Sequence, residues 1–126
     1  MAAIRYLVTD VPEAVTFFVR HLGFVQGATT SGKAFATVSR GDLELWLSGP
    51  ESSAARPMPN GDRPEPGGWN RLVIQVDDLA DTVQRMRAAG VRFRNDIVTG
   101  PGGKQVLLED PSGNPVELFQ PAIKTA

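Results

Sequence analysis

The chain carries one pattern written twice around a proline-rich interruption, and this repeat limits the possible folds more than any other feature. Ile4 to Val8 is a short β-rich run, with Ile4, Tyr6 and Val8 on one face and Ala3, Arg5 and Leu7 on the other. Asp10 is placed to cap a helix, with Glu13 three residues on and Pro12 tolerated in the first turn. Val15, Phe18, Val19 and Leu22 recur at helical spacing, and Gly23 ends the segment. Three strands are predicted next, near 25–29, 33–39 and 43–47, the last two joined by Arg40-Gly41-Asp42.

The second half repeats this order. Leu72 to Asp78 matches Ile4 to Asp10, Asp81 matches Glu13, Val83 and Met86 match Val15 and Phe18, and Gly90 matches Gly23. Strands are predicted near 91–98, 104–108 and 116–119. Leu43-Glu44-Leu45-Trp46 and Val116-Glu117-Leu118-Phe119 share one order of residue types: aliphatic, Glu, Leu, aromatic. The chain therefore reads as an α+β protein of two tandem βαβββ modules, residues 1–48 and 70–121. Residues 49–69 form a Pro/Gly-rich linker holding five of the ten prolines, and 122–126 a tail. A module of about 50 residues buries too little surface to stand alone. The two are expected to share a sheet or a partner chain.

Composition closes off several functions. Net charge is −1, which argues against nucleic acid as a partner, and no apolar run approaches the roughly 20 residues of a membrane span. Without cysteine there is no disulfide, thiolate nucleophile or cysteine-held metal. The first residues lack a basic segment followed by an apolar one, so a soluble, cytoplasmic protein is expected. No nucleophile–base pair, phosphate loop or redox motif is present.

What remains is the polar face of each module. Asp110 to Pro115 has the prolines, glycine and short polar side chains of a tight turn between two strands. In the strand that follows, Glu117 and Phe119 share one face and Val116 and Leu118 the other. If the apolar faces pack under the helices, the opposite faces carry Arg5, Glu44, Trp46, Arg71, Gln75, Glu117 and Phe119. Should the sheets curve toward each other, these line a concave small-molecule pocket with Trp69 at its rim. Trp46, Trp69 and Phe119 can stack on a planar ligand, or serve as core or subunit contacts. His21, in the last turn of the first helix, reads as a surface residue complementing the helix dipole. Arg85, Arg87, Arg92 and Arg94 read as a solvated helix face and strand.

The paired modules, the strand-plus-cap segments Tyr6-Leu7-Val8-Thr9-Asp10 and Ile74-Gln75-Val76-Asp77-Asp78, and the ending Glu109 to Leu118 resemble the vicinal oxygen chelate (VOC) superfamily. That superfamily includes glyoxalase I, extradiol dioxygenases, fosfomycin-resistance enzymes and bleomycin-resistance proteins. The resemblance covers the chain to about Gln120 and implies the glyoxalase/bleomycin-resistance fold. Its metalloenzymes hold a divalent ion with up to four side chains, usually His on the first strand of each module and Glu or another O/N ligand on the last. The last-strand positions fall on Glu44 and Glu117. The first-strand positions, counted back from Asp10 and Asp78, fall on Ala3, which has no donor, and Arg71, a permanent cation. The guanidinium of Arg71 is accordingly expected where the family holds its metal, paired with Glu117, Glu44 or both.

The resemblance then implies a metal-independent binder of a small organic molecule, without a cofactor. It would be like the bleomycin-resistance branch, in which an antibiotic or aromatic metabolite is sequestered. A homodimer is expected, with Arg5, Glu44, Trp46, Trp69, Arg71, Gln75, Glu117 and Phe119 as ligand contacts. This leans away from an enzyme. The competing readings are a metal-dependent lyase, isomerase or dioxygenase with Glu44 and Glu117 as ligands, and a metal-free enzyme with one of them as general base. A third is an interaction module with Trp46 and Phe119 packed into its core.

Overall fold

The computed structural model describes residues 1–122, save the Thr29 side chain, so residues 123–126 of the expected tail lie outside the described part. The chain forms β1 (Ile4–Leu7), α1 (Val11–Leu22), β2 (Val25–Ser31), β3 (Phe35–Arg40) and β4 (Leu43–Ser48). A 3-10 turn (Ser53–Ala55) follows, then β5 (Leu72–Gln75), α2 (Leu79–Ala88), β6 (Arg92–Phe93), β7 (Val98–Gly100), β8 (Gly103–Glu109) and β9 (Pro115–Pro121). These make two compact units. One comprises Met1–Gly67 and the turn Pro111–Asn114; the other comprises Gly68–Asp110 and, of the described residues, 115–122. Among the described residues no helix is long and apolar enough to cross a membrane.

In the first unit the sheet order is β1-β4-β3-β2, with β1 parallel to β4 and the other pairs antiparallel. The Asp10 carboxylate accepts the Glu13 N–H at 3.0 Å and starts α1, and Gly23, in the left-handed region at φ 72°, ends it. The helix buries Val11, Ala14, Val15, Phe17, Phe18 and Leu22. Val19, expected in this stripe, is 40% exposed, because Phe17 widens the apolar face on the opposite shoulder. Phe18 is fully buried and meets Tyr6, Phe17 and Phe24 edge to face, with ring centroids 5.4 to 6.1 Å apart.

The residues after β4 stay with this first unit as far as Gly67. Asn114 fixes the end of that segment: its side-chain amide donates to the Leu7 carbonyl and accepts from the Gly67 N–H, both at 2.7 Å. A cavity of about 180 Å³ lies beneath the segment, lined by Leu7, Thr9, Ser48, Ala55, Arg63 and Pro66 among others. The proline-rich stretch is thus a loop lying over the ends of β1 and β4.

In the second unit the order is β5-β9-β8-β6, with β7 also paired to β8 and β5 parallel to β9. Asp78 caps α2 through the Asp81 N–H at 3.0 Å, and the helix buries Leu79, Val83 and Met86. The single strand expected over 91–98 is broken in two. Phe93 pairs with Leu108 but Val98 with Gln105, so two extra residues are accommodated between them. Asn95 bridges the break by accepting the Leu107 N–H at 2.9 Å, while the Arg94 N–H donates to the Leu107 carbonyl.

The first unit bulges at the corresponding place. Gln26 pairs with Val38 and Thr30 with Ala36. Gly27 sits inside this bulge, where a Cβ would run into the Thr37 hydroxyl, so the close approach requires glycine.

Candidate functional site

Strand register decides which side chains of each unit meet. In the first unit β1 pairs Ile4 with Leu45, and the Val8 N–H donates to the Ser48 carbonyl. In the second, β5 pairs Leu72 with Val116, and the Val76 N–H donates to the Phe119 carbonyl. Since Ile4 corresponds to Leu72, Leu45 stands where Val116 stands, and Trp46 where Glu117 stands. The sequence match of Glu44 with Glu117 is therefore displaced along the strand. The cause is the two-residue period of a strand, which repeats the same alternation in registers differing by two. The two turns also differ, Gly41-Asp42 against Asp110–Asn114.

In the second unit, Arg71 immediately precedes β5 and its guanidinium reaches Glu117 on β9. Nη2 donates to Oε1 at 2.8 Å and Nε to the same oxygen at 3.1 Å, while Nη1 donates to the Trp69 carbonyl at 3.3 Å. The Glu117 side chain is only 10% exposed and that of Arg71 28%. A carboxylate so far from water needs a compensating charge, and the arginine supplies it. Gln75 and Phe119, paired across β5 and β9, continue the same face, with Gln75 exposed and Phe119 half-buried.

In the first unit the corresponding face carries a stack. The Arg5 guanidinium lies 5.1 Å from the Trp46 ring centroid and donates to Ser48 Oγ at 2.9 Å. The indole N–H donates to Glu44 Oε1 at 2.7 Å, and Phe35 meets the ring edge to face at 6.0 Å. The indole is thus held by a cation on its face, an acceptor at its nitrogen and an aromatic neighbour. Ser48 and Phe35 were not among the residues singled out from sequence. Their signal lies in the pairing of β3 with β4, which sets Phe35 opposite Ser48.

The structure brings Arg71 together with Glu117, and Arg5 with Trp46 and Glu44. Trp69 is 69% exposed and its ring lies under Arg94, whose guanidinium is 4.7 Å from the ring centroid. Arg94 also pairs with Glu109 at 2.8 Å, the two side chains being 18% and 23% exposed. Of the basic group expected on a solvated face, Arg85 fits at 69% exposed, whereas Arg94 is a partly buried ion-pair residue. His21 lies in the last turn of α1 beside Phe17, as its spacing implied.

These donors do not fit a divalent ion. Among the described residues no three His, Cys, Asp or Glu side chains gather in one place. Ala3 offers nothing, Glu44 accepts from an indole, and Glu117 carries a guanidinium on Oε1.

Residues 1–118 match the model of the Glyoxalase/Bleomycin resistance protein/Dioxygenase superfamily. The chain belongs to that family, the VOC superfamily. Among solved structures it is similar to TnmS3, an antibiotic binding protein from Streptomyces sp. CB03234 (26% identity, 97% of each chain covered, TM-score 0.69). It shares its fold with a lactoylglutathione lyase from Agrobacterium tumefaciens (21% identity, 95% of this chain and 92% of that one, TM-score 0.71). The same holds for FosX, a genomically encoded fosfomycin resistance protein from Listeria monocytogenes (13% identity, 98% and 93%, TM-score 0.71). No curated protein matches the chain.

Proposed function

We propose that this protein binds a small organic molecule, an antibiotic or other aromatic metabolite, without a metal ion and without changing it chemically. The observation that carries this reading is the Arg71 guanidinium on Glu117 Oε1. A permanent cation neutralises the buried carboxylate, which leaves no charge deficit for a divalent ion to fill. The held indole of Trp46 supports it further, because a ring fixed by its neighbours offers contact area to a planar ligand at little entropic cost. So does the likeness to TnmS3, itself described as an antibiotic binding protein.

In this reading Arg5, Glu44, Trp46, Trp69, Arg71, Gln75, Glu117 and Phe119 make the ligand contacts. The protein works as a cytoplasmic homodimer, since units of this size gain stability from a partner. The test joins elemental mass spectrometry of the untagged protein with a thermal-shift screen of aromatic antibiotics and metabolites. The expected result is no stoichiometric metal, no stabilisation by Zn²⁺, Ni²⁺, Mn²⁺ or Fe²⁺, and a concentration-dependent rise in Tm with a ligand. Stoichiometric metal lost on replacing Glu44 or Glu117 would overturn the reading in favour of a metal-dependent lyase, isomerase or dioxygenase.

A further inference from the structure

Glu117 is compensated on one oxygen only. Both Arg71 donors fall on Oε1, and among the described residues no donor reaches Oε2. The side chain is nine-tenths buried, yet Oε2 itself is not sealed from outside contact. The oxygen left without a protein donor is thus the one that an incoming molecule can reach. Directly across the ladder from Glu117 stand Val73 on β5, 52% exposed, and Leu107 on β8, half-buried. An ionised acceptor therefore sits between two aliphatic side chains, with Phe119 next on the same strand face.

We infer that Glu117 Oε2 reads a hydrogen-bond donor on the ligand, so that the bound class is aromatic molecules bearing a hydroxyl or amino group, and not aromatic carboxylates. This deepens the binding reading above and rests on it. A donor completes the carboxylate with a charge-assisted hydrogen bond while its ring covers Val73 and Phe119. An anionic ligand meets the opposite situation. It would face Glu117 while competing for the remaining N–H groups of Arg71, a guanidinium whose charge that carboxylate already balances and whose Nη1 serves the Trp69 carbonyl. Two carboxylates facing each other in a partly dry site disfavour binding.

The experiment uses three probes sharing one ring system: 2-naphthalenemethanol, 2-naphthalenemethylamine and 2-naphthoate. Each is titrated into the whole protein and followed residue by residue by ¹⁵N–¹H NMR. The alcohol and the ammonium are expected to bind at least tenfold more tightly than the carboxylate, with the largest shifts on β5 and β9 around Val73 and Glu117; roughly tenfold is what one hydrogen bond to a charged group supplies. Glu117→Gln is expected to reduce that preference to within about threefold while leaving the spectrum folded. Because the ranking is read first on the unaltered protein, a variant that fails to fold does not remove the test.

Binding of all three to this face with the carboxylate equal or tighter would overturn the inference and leave the binding reading standing. Preference for the donors with shifts confined to other parts of the chain would also overturn it. Absence of binding by every probe would overturn both.

Discussion

The two units meet the same requirement in different ways. Each brings an arginine from its first strand, or the residue just before it, near a glutamate on its last strand. In the second unit the two touch at 2.8 Å. In the first, Trp46 stands between them: Arg5 lies over the ring and Glu44 accepts its N–H. The difference follows burial. Glu117 is 8% exposed and requires a full positive charge in contact, whereas Glu44 is only half-buried and water shares the load. One repeat thus yields an ion pair in one copy and a fixed aromatic platform in the other. The residue that decides is Trp46, standing where its counterpart is Glu117.

The largest expected effect separates the cores beneath these faces. Phe18 is surrounded by three aromatic rings, while α2 contributes only Leu79, Val83 and Met86. Phe18→Ala is expected to cost about 4 kcal/mol and Met86→Ala about 2 kcal/mol in chemical denaturation. Equal costs would mean that the two helices are equally well packed despite their compositions. Next comes the ion pair itself. Arg71→Ala strands a nine-tenths buried carboxylate and is expected to cost about 2 kcal/mol, less than a wholly buried pair because the arginine keeps some exposure. Arg5→Ala, losing a stack on an exposed residue, is expected to cost less than about 1 kcal/mol. If the two arginines prove equal, burial is not what distinguishes the copies.

The bulges give a third comparison. Gly27→Ala places a methyl group against Thr37 and is expected to cost about 1–2 kcal/mol, and Thr37→Ala in the same chain should return most of it. A replacement at Asn95 acts on the other bulge through a lost hydrogen bond, without any clash. Asn95→Ala is expected to cost about 1 kcal/mol, with faster amide exchange at Leu107.

How much of this was legible in the sequence depends on the kind of signal. The strands, helices and caps were legible because periodicity and the spacings Asp10–Glu13 and Asp78–Asp81 are local, and the family followed from their order. The partner of Arg71 was legible from charge balance, since a mid-strand glutamate on a polar face demands a cation. The register was not, because aliphatic–Glu–Leu–aromatic fits a strand equally well two residues along. Only the backbone pairing of Ile4 with Leu45 and Leu72 with Val116 shows that Glu44 and Glu117 are not counterparts. The break between β6 and β7 was hidden for a related reason. Asn95 substitutes a side-chain oxygen for a ladder carbonyl, and composition records no such substitution. The setting of Arg94 is not legible either, because its partners Glu109 and Trp69 lie far along the chain.

The smallest effect tests the platform most directly. Trp46→Phe keeps a ring beneath Arg5 and beside Phe35 but removes the donor to Glu44. Glu44 is half-buried, so water replaces the indole N–H, and the expected loss of stability is about 0.5–1 kcal/mol. The chain has two tryptophans, and Trp69 is 69% exposed, so the blue-shifted part of the emission belongs to Trp46 and should vanish in this variant. Trp69→Phe should leave it in place. If Trp46 is a ligand platform, ligand quenching in the unaltered protein should survive Trp69→Phe, and affinity should fall several-fold in Trp46→Phe beyond what its small stability change explains. Should the variant bind as tightly as the unaltered protein, the indole is a structural bridge between Arg5 and Glu44, and the first unit compensates its charges without presenting a binding surface.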